Sequence, residues 1–294
     1  MSLFTWFWEN VTKPMDEKRI KTLRVPKVEE NVNIPYLNTS HYLHFLDVYS
    51  PTSDTSPMPT IIDVHGGGWY YGDKDLNKIY CLNLVERGFK VANVSYRLTP
   101  EVTLREQVKD VADAINYIYD NAESLGVDLN NLFITGDSAG GHLASLMVNL
   151  AYDEDMQKAF GTSIKAKFKA VCYTCPAFYV SHLATMPVVR SYFTPLLGKK
   201  AKENALFPYV DFREDKCNGI PSLFITCDGD FMKGQTLKGY EAYKTTGAEC
   251  DLIYFKKEDQ TNKLGHVYNV IQPDWAESKE ANDKTIAFFK KHVN

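Results

Sequence analysis

No stretch of this sequence approaches the roughly 18 consecutive apolar residues that a membrane-spanning helix needs, so a membrane span is not expected. The amino-terminal run MSLFTWFWENVTKPMDEKR carries aromatics but lacks a basic segment leading into an apolar core of about 7–15 residues. Without that leader pattern the expectation is a cytoplasmic protein. Nor is there an excess of positive charge: 33 Lys and Arg stand against 37 Asp and Glu, a net charge of -4. A chain without a basic field is not built to collect phosphates, which argues against nucleic acid as a partner.

Cysteine is sparse for a chain of 294 residues. The six, Cys81, Cys172, Cys175, Cys217, Cys227 and Cys250, are scattered through apolar stretches and form no compact disulfide framework. They read as buried thiols. Cys172 and Cys175 make a C-x-x-C, but KAVCYTC reads as a strand, on which positions three apart face opposite sides. No second pair completes a zinc site, and neither a metal nor a cofactor is expected. Internal repeats and low-complexity linkers are also missing, which leaves an ordinary globular chain.

What is present is alternation. From residue 42 onward, short runs rich in Val, Ile and aromatics (HFLDVYS, TIIDVHG, KVANVSY, NLFITGD, KAVCYTC, SLFITCD and DLIYFKK) alternate with segments of helical period. That pattern specifies an α/β fold, a mostly parallel sheet with helices on both faces. Val108, Val111, Ile115, Ile118 and Ala122 recur at spacings of three and four, an apolar stripe for packing one helix on the sheet. Further helices are expected to begin at Ser138, near Lys233 and near Trp275. Residues 1–294 read as one domain. Two stretches, 1–40 and about 177–215, break the alternation with aromatics and prolines and are candidate cap or lid segments. In the first, Phe4, Phe7 and Trp8 are expected to share one helical face.

Two motifs carry chemistry. NLFITGDSAGGHLASLMVNL runs from a strand through Gly136-Asp137-Ser138-Ala139-Gly140 into a helix, a G-x-S-x-G turn in the strand-to-helix context that lifts a serine hydroxyl above a sheet edge. The helix that follows directs N–H groups and the positive end of its dipole toward an anion forming at that serine. Upstream, TIIDVHGGGWYYGDKD drives a strand into His65-Gly66-Gly67-Gly68-Trp69, where glycines leave backbone N–H groups uncovered and able to approach an oxyanion. It lacks the endings of a Walker or dinucleotide loop.

Together HGGGW and GDSAGG, about 70 residues apart, resemble the hormone-sensitive-lipase-like branch of the α/β-hydrolase esterases, over roughly residues 42–292. The resemblance implies an oxyanion hole from the N–H groups of Gly67, Gly68 and Ala139, with His65, Gly66 and Trp69 shaping the loop. A serine hydroxyl needs a base, and the fold's chain order is Ser, acid, His. His266, in the polar loop KEDQTNKLGHVYNV, sits where that order calls for the base. His292 lies in the tail, His182 precedes every candidate acid strand, and His142 is a turn behind the serine, pointing into helix–sheet packing. For the acid, spacing alone leaves Asp228 and Asp230 open. The resemblance favours Asp230, because Thr226, Asp230, Phe231 and Met232 match the family's pattern. Asp137 reads as a residue that stabilises the turn. Lys233-Gly234 departs from the acidic character common after the family's acid.

The expected function is a serine esterase acting on small short-acyl or aryl esters through Ser138, His266 and Asp230, with a homodimer left open as its assembly. Two other readings compete: an N-formylkynurenine formamidase on the same triad, and a non-catalytic receptor for a small ligand. Peptidases of this type carry an extra domain for which the chain has no room.

Overall fold

The computed structural model describes all residues except 1, 2, 52, 54, 55, 187, 188 and 199–204. Eight strands form one sheet: β1 (Glu29–Pro35), β2 (Phe45–Ser50), β3 (Met58–Val64), β4 (Lys90–Val94), β5 (Val127–Asp137), β6 (Ala170–Thr174), β7 (Ser222–Cys227) and β8 (Cys250–Phe255). Their order is β1-β2-β4-β3-β5-β6-β7-β8. β1 and β2 run antiparallel at one edge, as do β2 and β4, and every other pairing is parallel.

The seven expected strands are all present, and their apolar runs follow from burial on both faces. Along β5, Leu132 and Ile134 join one core while Phe133 joins the other. The first core is closed by the helices Leu104–Asp120 and Ala139–Leu150, through Val108, Val111, Ile115, Ile118, Leu143 and Met147. The second is closed by Lys74–Val85 and Ala276–Lys291, through Ile79, Leu82, Ile286 and Phe289. Leu104–Asp120 starts with a capping box, in which Thr103 and Glu106 satisfy each other's end of the first turn.

Four expectations need correction. Residues 1–40 contain a strand, β1, whose residues are mostly exposed at the sheet edge and so lack the alternating apolar signal. The helix carrying Val108 ends at Asp120, and Ala122 opens a separate short turn. Phe7 does not share the inner face of Phe4 and Trp8: it is 49% exposed, while Phe4 and Trp8 line a cavity. Cys172 and Cys175 lie in the same core, since β6 stops at Thr174 and Cys175 turns back with φ +46°.

Candidate active site

The carboxyl ends of β3, β5, β7 and β8 open on one edge of the sheet, the edge where parallel α/β folds gather their ligands. Ser138 follows β5 directly, with φ 51° and ψ -117°, a strained conformation for a non-glycine residue. The surroundings over-determine it. Its N–H donates to the Thr174 carbonyl at 2.9 Å, and its own carbonyl accepts from His142 and Ala177 N–H, each at 3.1 Å. Gly140 lets the following helix lie against β3, where a Cβ would meet the Val64 carbonyl at 1.9 Å.

His266 stands in the loop after β8, its Nε2 2.9 Å from Ser138 Oγ and its Nδ1 2.6 Å from Asp230 Oδ1. A carboxylate only accepts, so Nδ1 carries the proton on that side and Nε2 presents a lone pair to the hydroxyl. Asp230, in the turn after β7, also accepts from Thr226 Oγ1 at 2.7 Å and Met232 N–H at 2.8 Å. Burial pushes its carboxyl up, but His266, Thr226 and the Met232 N–H outweigh burial and hold it below the ordinary range. Asp228 turns the other way, to Lys233 Nζ at 2.7 Å, Tyr254 hydroxyl at 2.5 Å and Lys257 N–H at 2.8 Å. Cys175, Asp230 and His266 form a set of three donor groups within 4.8 Å. Two of the three are already spent on each other, and burial raises the Cys175 thiol well above its ordinary pKa.

The His65–Trp69 loop follows β3. The Gly66 carbonyl accepts from His65 Nδ1–H at 2.8 Å, and the Gly67 carbonyl accepts from the Tyr70 and Tyr71 N–H groups at 3.1 and 3.0 Å. In a trans peptide, N–H points opposite to the preceding carbonyl, so these bonds turn the N–H groups of Gly67 and Gly68 away from the protein body. The φ values of +99° and +60° at Gly67 and Gly68 suit glycine. His65 stacks on Tyr96, ring centroids 4.4 Å apart, and burial lowers its pKa to about 4, so it remains a neutral donor. Trp69 Nε1–H donates to His142 Nδ1 at 3.3 Å, and His142 Nε2–H donates to the Val210 carbonyl at 2.6 Å. His142 therefore ties the loop to the segment after β6 and does not face the sheet.

Asp137 accepts from Gly66 N–H at 3.0 Å and from Asn77 Nδ2 at 2.8 Å, joining the serine turn to the loop. Asn77 also donates to Asp63 at 3.0 Å. Burial, with the neighbouring charge of Asp137, pushes the Asp63 carboxyl up to about 8. Sequence reasoning missed Asn77, whose one signal was an amide in the apolar run KDLNKIYCLNLV.

Ser138, His266, Gly67 and Gly68 open on a cavity of about 590 Å³, within the size range of small-molecule sites. Its walls are apolar. Phe4 and Trp8 contribute from the amino-terminal segment, and Leu183, Val189, Tyr192 and Phe193 from the insert between β6 and β7. Phe231 packs on the His266 ring at 4.2 Å and is 77% exposed. Residues 187, 188 and 199–204 of the expected cap lie outside the described residues.

The profile of the BD-FAE family matches residues 46–209, more than half of the sequence. The chain belongs to the BD-FAE family. The BD-FAE match covers the glycine loop and Ser138, while Asp230 and His266 lie beyond it. The chain is similar in structure to esterase B from Lactobacillus rhamnosis inhibited by a tributyrin phosphonate, with a TM-score of 0.90 and 30% identity over 98% of this chain and 93% of that one. It is 33% identical over 237 residues to the isoprenylcysteine alpha-carbonyl methylesterase ICME of Arabidopsis thaliana, covering 74% of this chain and 53% of that protein. The versiconal hemiacetal acetate esterase of Dothistroma septosporum is 26% identical over 253 residues, 79% of this chain and 73% of its own length. This BD-FAE chain spans about half the length, or less, of the isoprenylcysteine methylesterases it matches. Its fold is that of the α/β-hydrolase esterases. Among the described residues, no helix is long and apolar enough to cross a membrane.

Proposed function

We propose that this chain is a serine esterase that hydrolyses small short-acyl or aryl carboxylic esters. The observation that carries the proposal is the unbroken hydrogen-bonded run Asp230–His266–Ser138, whose serine end opens on an apolar cavity. His266 Nε2 takes the Ser138 proton as Oγ attacks the ester carbonyl, and Asp230 stabilises the imidazolium that forms. The N–H groups of Gly67, Gly68 and Ala139 collect the oxyanion. The proton then passes from Nε2 to the departing alcohol, leaving an acyl group on Ser138. A water activated by the same nitrogen releases the acid and restores the serine.

The names of the relatives support ester over amide chemistry, and the small polar share of the cavity wall favours an apolar acyl or alcohol group. Within one domain spanning 1–294, the amino-terminal segment from Phe4 to Asp16 and the described residues of 177–215 act as its cap. The cytoplasmic setting belongs to the proposal, in keeping with free cysteines of which five are buried. Turnover of acetyl, butyryl and aryl esters beside N-formylkynurenine tests the substrate class. Faster turnover of the esters is expected, and turnover of the formamide alone would refute it.

A further inference from the structure

Tyr192, in the helix Arg190–Leu197, donates its hydroxyl to the Gly68 carbonyl at 2.6 Å. Tyr70, two residues beyond Gly68, donates its hydroxyl to the Tyr192 carbonyl, also at 2.6 Å. The two bonds run in opposite directions and clamp residues 68–70 to the insert. The amino-terminal segment reaches the same point. The Trp8 ring lines the same cavity, and the Phe4 ring meets the Tyr192 ring edge-on at 4.9 Å. A Cβ on Gly68 would come within 2.2 Å of that hydroxyl and 2.9 Å of the Trp8 ring. Both segments outside the sheet therefore converge on one peptide of the glycine loop.

The converging contacts fall on the Gly68–Trp69 peptide. The Gly67–Gly68 peptide is oriented by the Tyr70 and Tyr71 N–H groups. The next rotation along the chain belongs to Gly68, which has no side chain to restrict it. The hydrogen bond from Tyr192 fixes the direction of the Gly68 carbonyl and so removes that rotation. Burial raises the phenol's pKa, so it stays a donor at any working pH.

We propose that Tyr192 is a positioning residue, whose hydroxyl fixes the Gly68–Trp69 peptide and so steadies the backbone that carries the Gly67 and Gly68 N–H groups beside the developing oxyanion, tying that loop to the insert between β6 and β7. The proposal rests on the ester-hydrolase reading above. Preorganised donors are effective because they need no reorganisation during the reaction, so a loosened loop costs rate and not substrate affinity.

Tyr192→Phe in the full chain keeps the ring packing and removes only the hydroxyl. On a short nitrophenyl ester, kcat is expected to fall about tenfold with KM within about twofold, less than the loss of a whole oxyanion donor. The rate at which a nitrophenyl phosphonate modifies the enzyme should fall by a similar factor, and amide exchange across residues 66–70 should accelerate. A thermal melt close to the parent's separates this from a folding defect. Tyr70→Phe, which removes the other arm of the clamp, should accelerate exchange over the same residues and covers the case of a Tyr192 variant that does not fold. Unchanged kcat with unchanged exchange, or a loss carried by KM alone, overturns the proposal. If the parent itself hydrolysed no ester and resisted the phosphonate, the functional reading would fall. The exchange comparison would still decide whether the hydroxyl holds the loop, with unchanged exchange overturning it.

Discussion

Asp228 and Asp230 stand two positions apart at the end of β7 and face opposite ways, one to Lys233 and Tyr254 and one to His266. Asp230→Asn is expected to lower kcat by about 10³–10⁴, because the amide no longer fixes the tautomer or stabilises the imidazolium. Asp228→Asn should stay within a few-fold, since its partners lie outside the proposed triad. Steady-state rates of the two variants on one ester check this, and equal losses would contradict the assignment. Spacing alone did not separate the two, because a turn of this kind can present either carboxylate. The groups that decide it, the Tyr254 hydroxyl and the Lys257 backbone N–H, come from the next strand and the loop after it. The serine was legible for the opposite reason: its strained φ, its small neighbours and the helix behind it are all encoded within a few residues. Asn77 and Tyr192 reach their partners across 60 and 124 positions, a distance over which no local pattern signals contact.

Among the elements, the loop bearing His266 is anchored by Glu277, at the start of the last helix. The Glu277 carboxylate accepts from Thr261 N–H at 2.6 Å, Thr261 Oγ1 at 2.7 Å, and Asn262 N–H and Nδ2 at 2.9 and 2.8 Å. Burial pushes this carboxyl up, but the bonds from Asn262 and Thr261 outweigh it and hold the pKa down to about 2. A carboxyl lowered on folding lends stability above its unfolded pKa and loses it as pH falls through the folded one. Melting temperatures should therefore fall between about pH 4.5 and 2 in the parent and fall less in Glu277→Gln, which should also melt lower at pH 7. A parallel pH dependence in the two would remove Glu277 from this role. The sheet itself was the most readable element, since parallel strands buried on both faces must be continuously apolar. β1 escaped because an exposed edge strand carries no such constraint.

For the whole molecule, the cavity is built by parts far apart in the chain: Ser138 and His266 stand at the sheet edge, and the amino-terminal segment and the insert between β6 and β7 supply apolar walls. Leu183 belongs to the wall and not to the hydrogen-bonded run. Leu183→Ala should raise KM for a butyrate ester roughly fivefold, about 1 kcal/mol of lost apolar contact, with kcat nearly unchanged. An unaltered KM and acyl preference would mean that the ester does not occupy this cavity. The proposed esterase activity requires Ser138 as the nucleophile. The direct measurement is peptide mass spectrometry after reaction with a nitrophenyl phosphonate, run beside Ser138→Ala. The prediction is a single phosphonyl adduct on the peptide holding Ser138, absent from the variant, with ester hydrolysis lost in both. An adduct on another residue, or a Ser138→Ala enzyme that turns over ester at the parental rate, would contradict it.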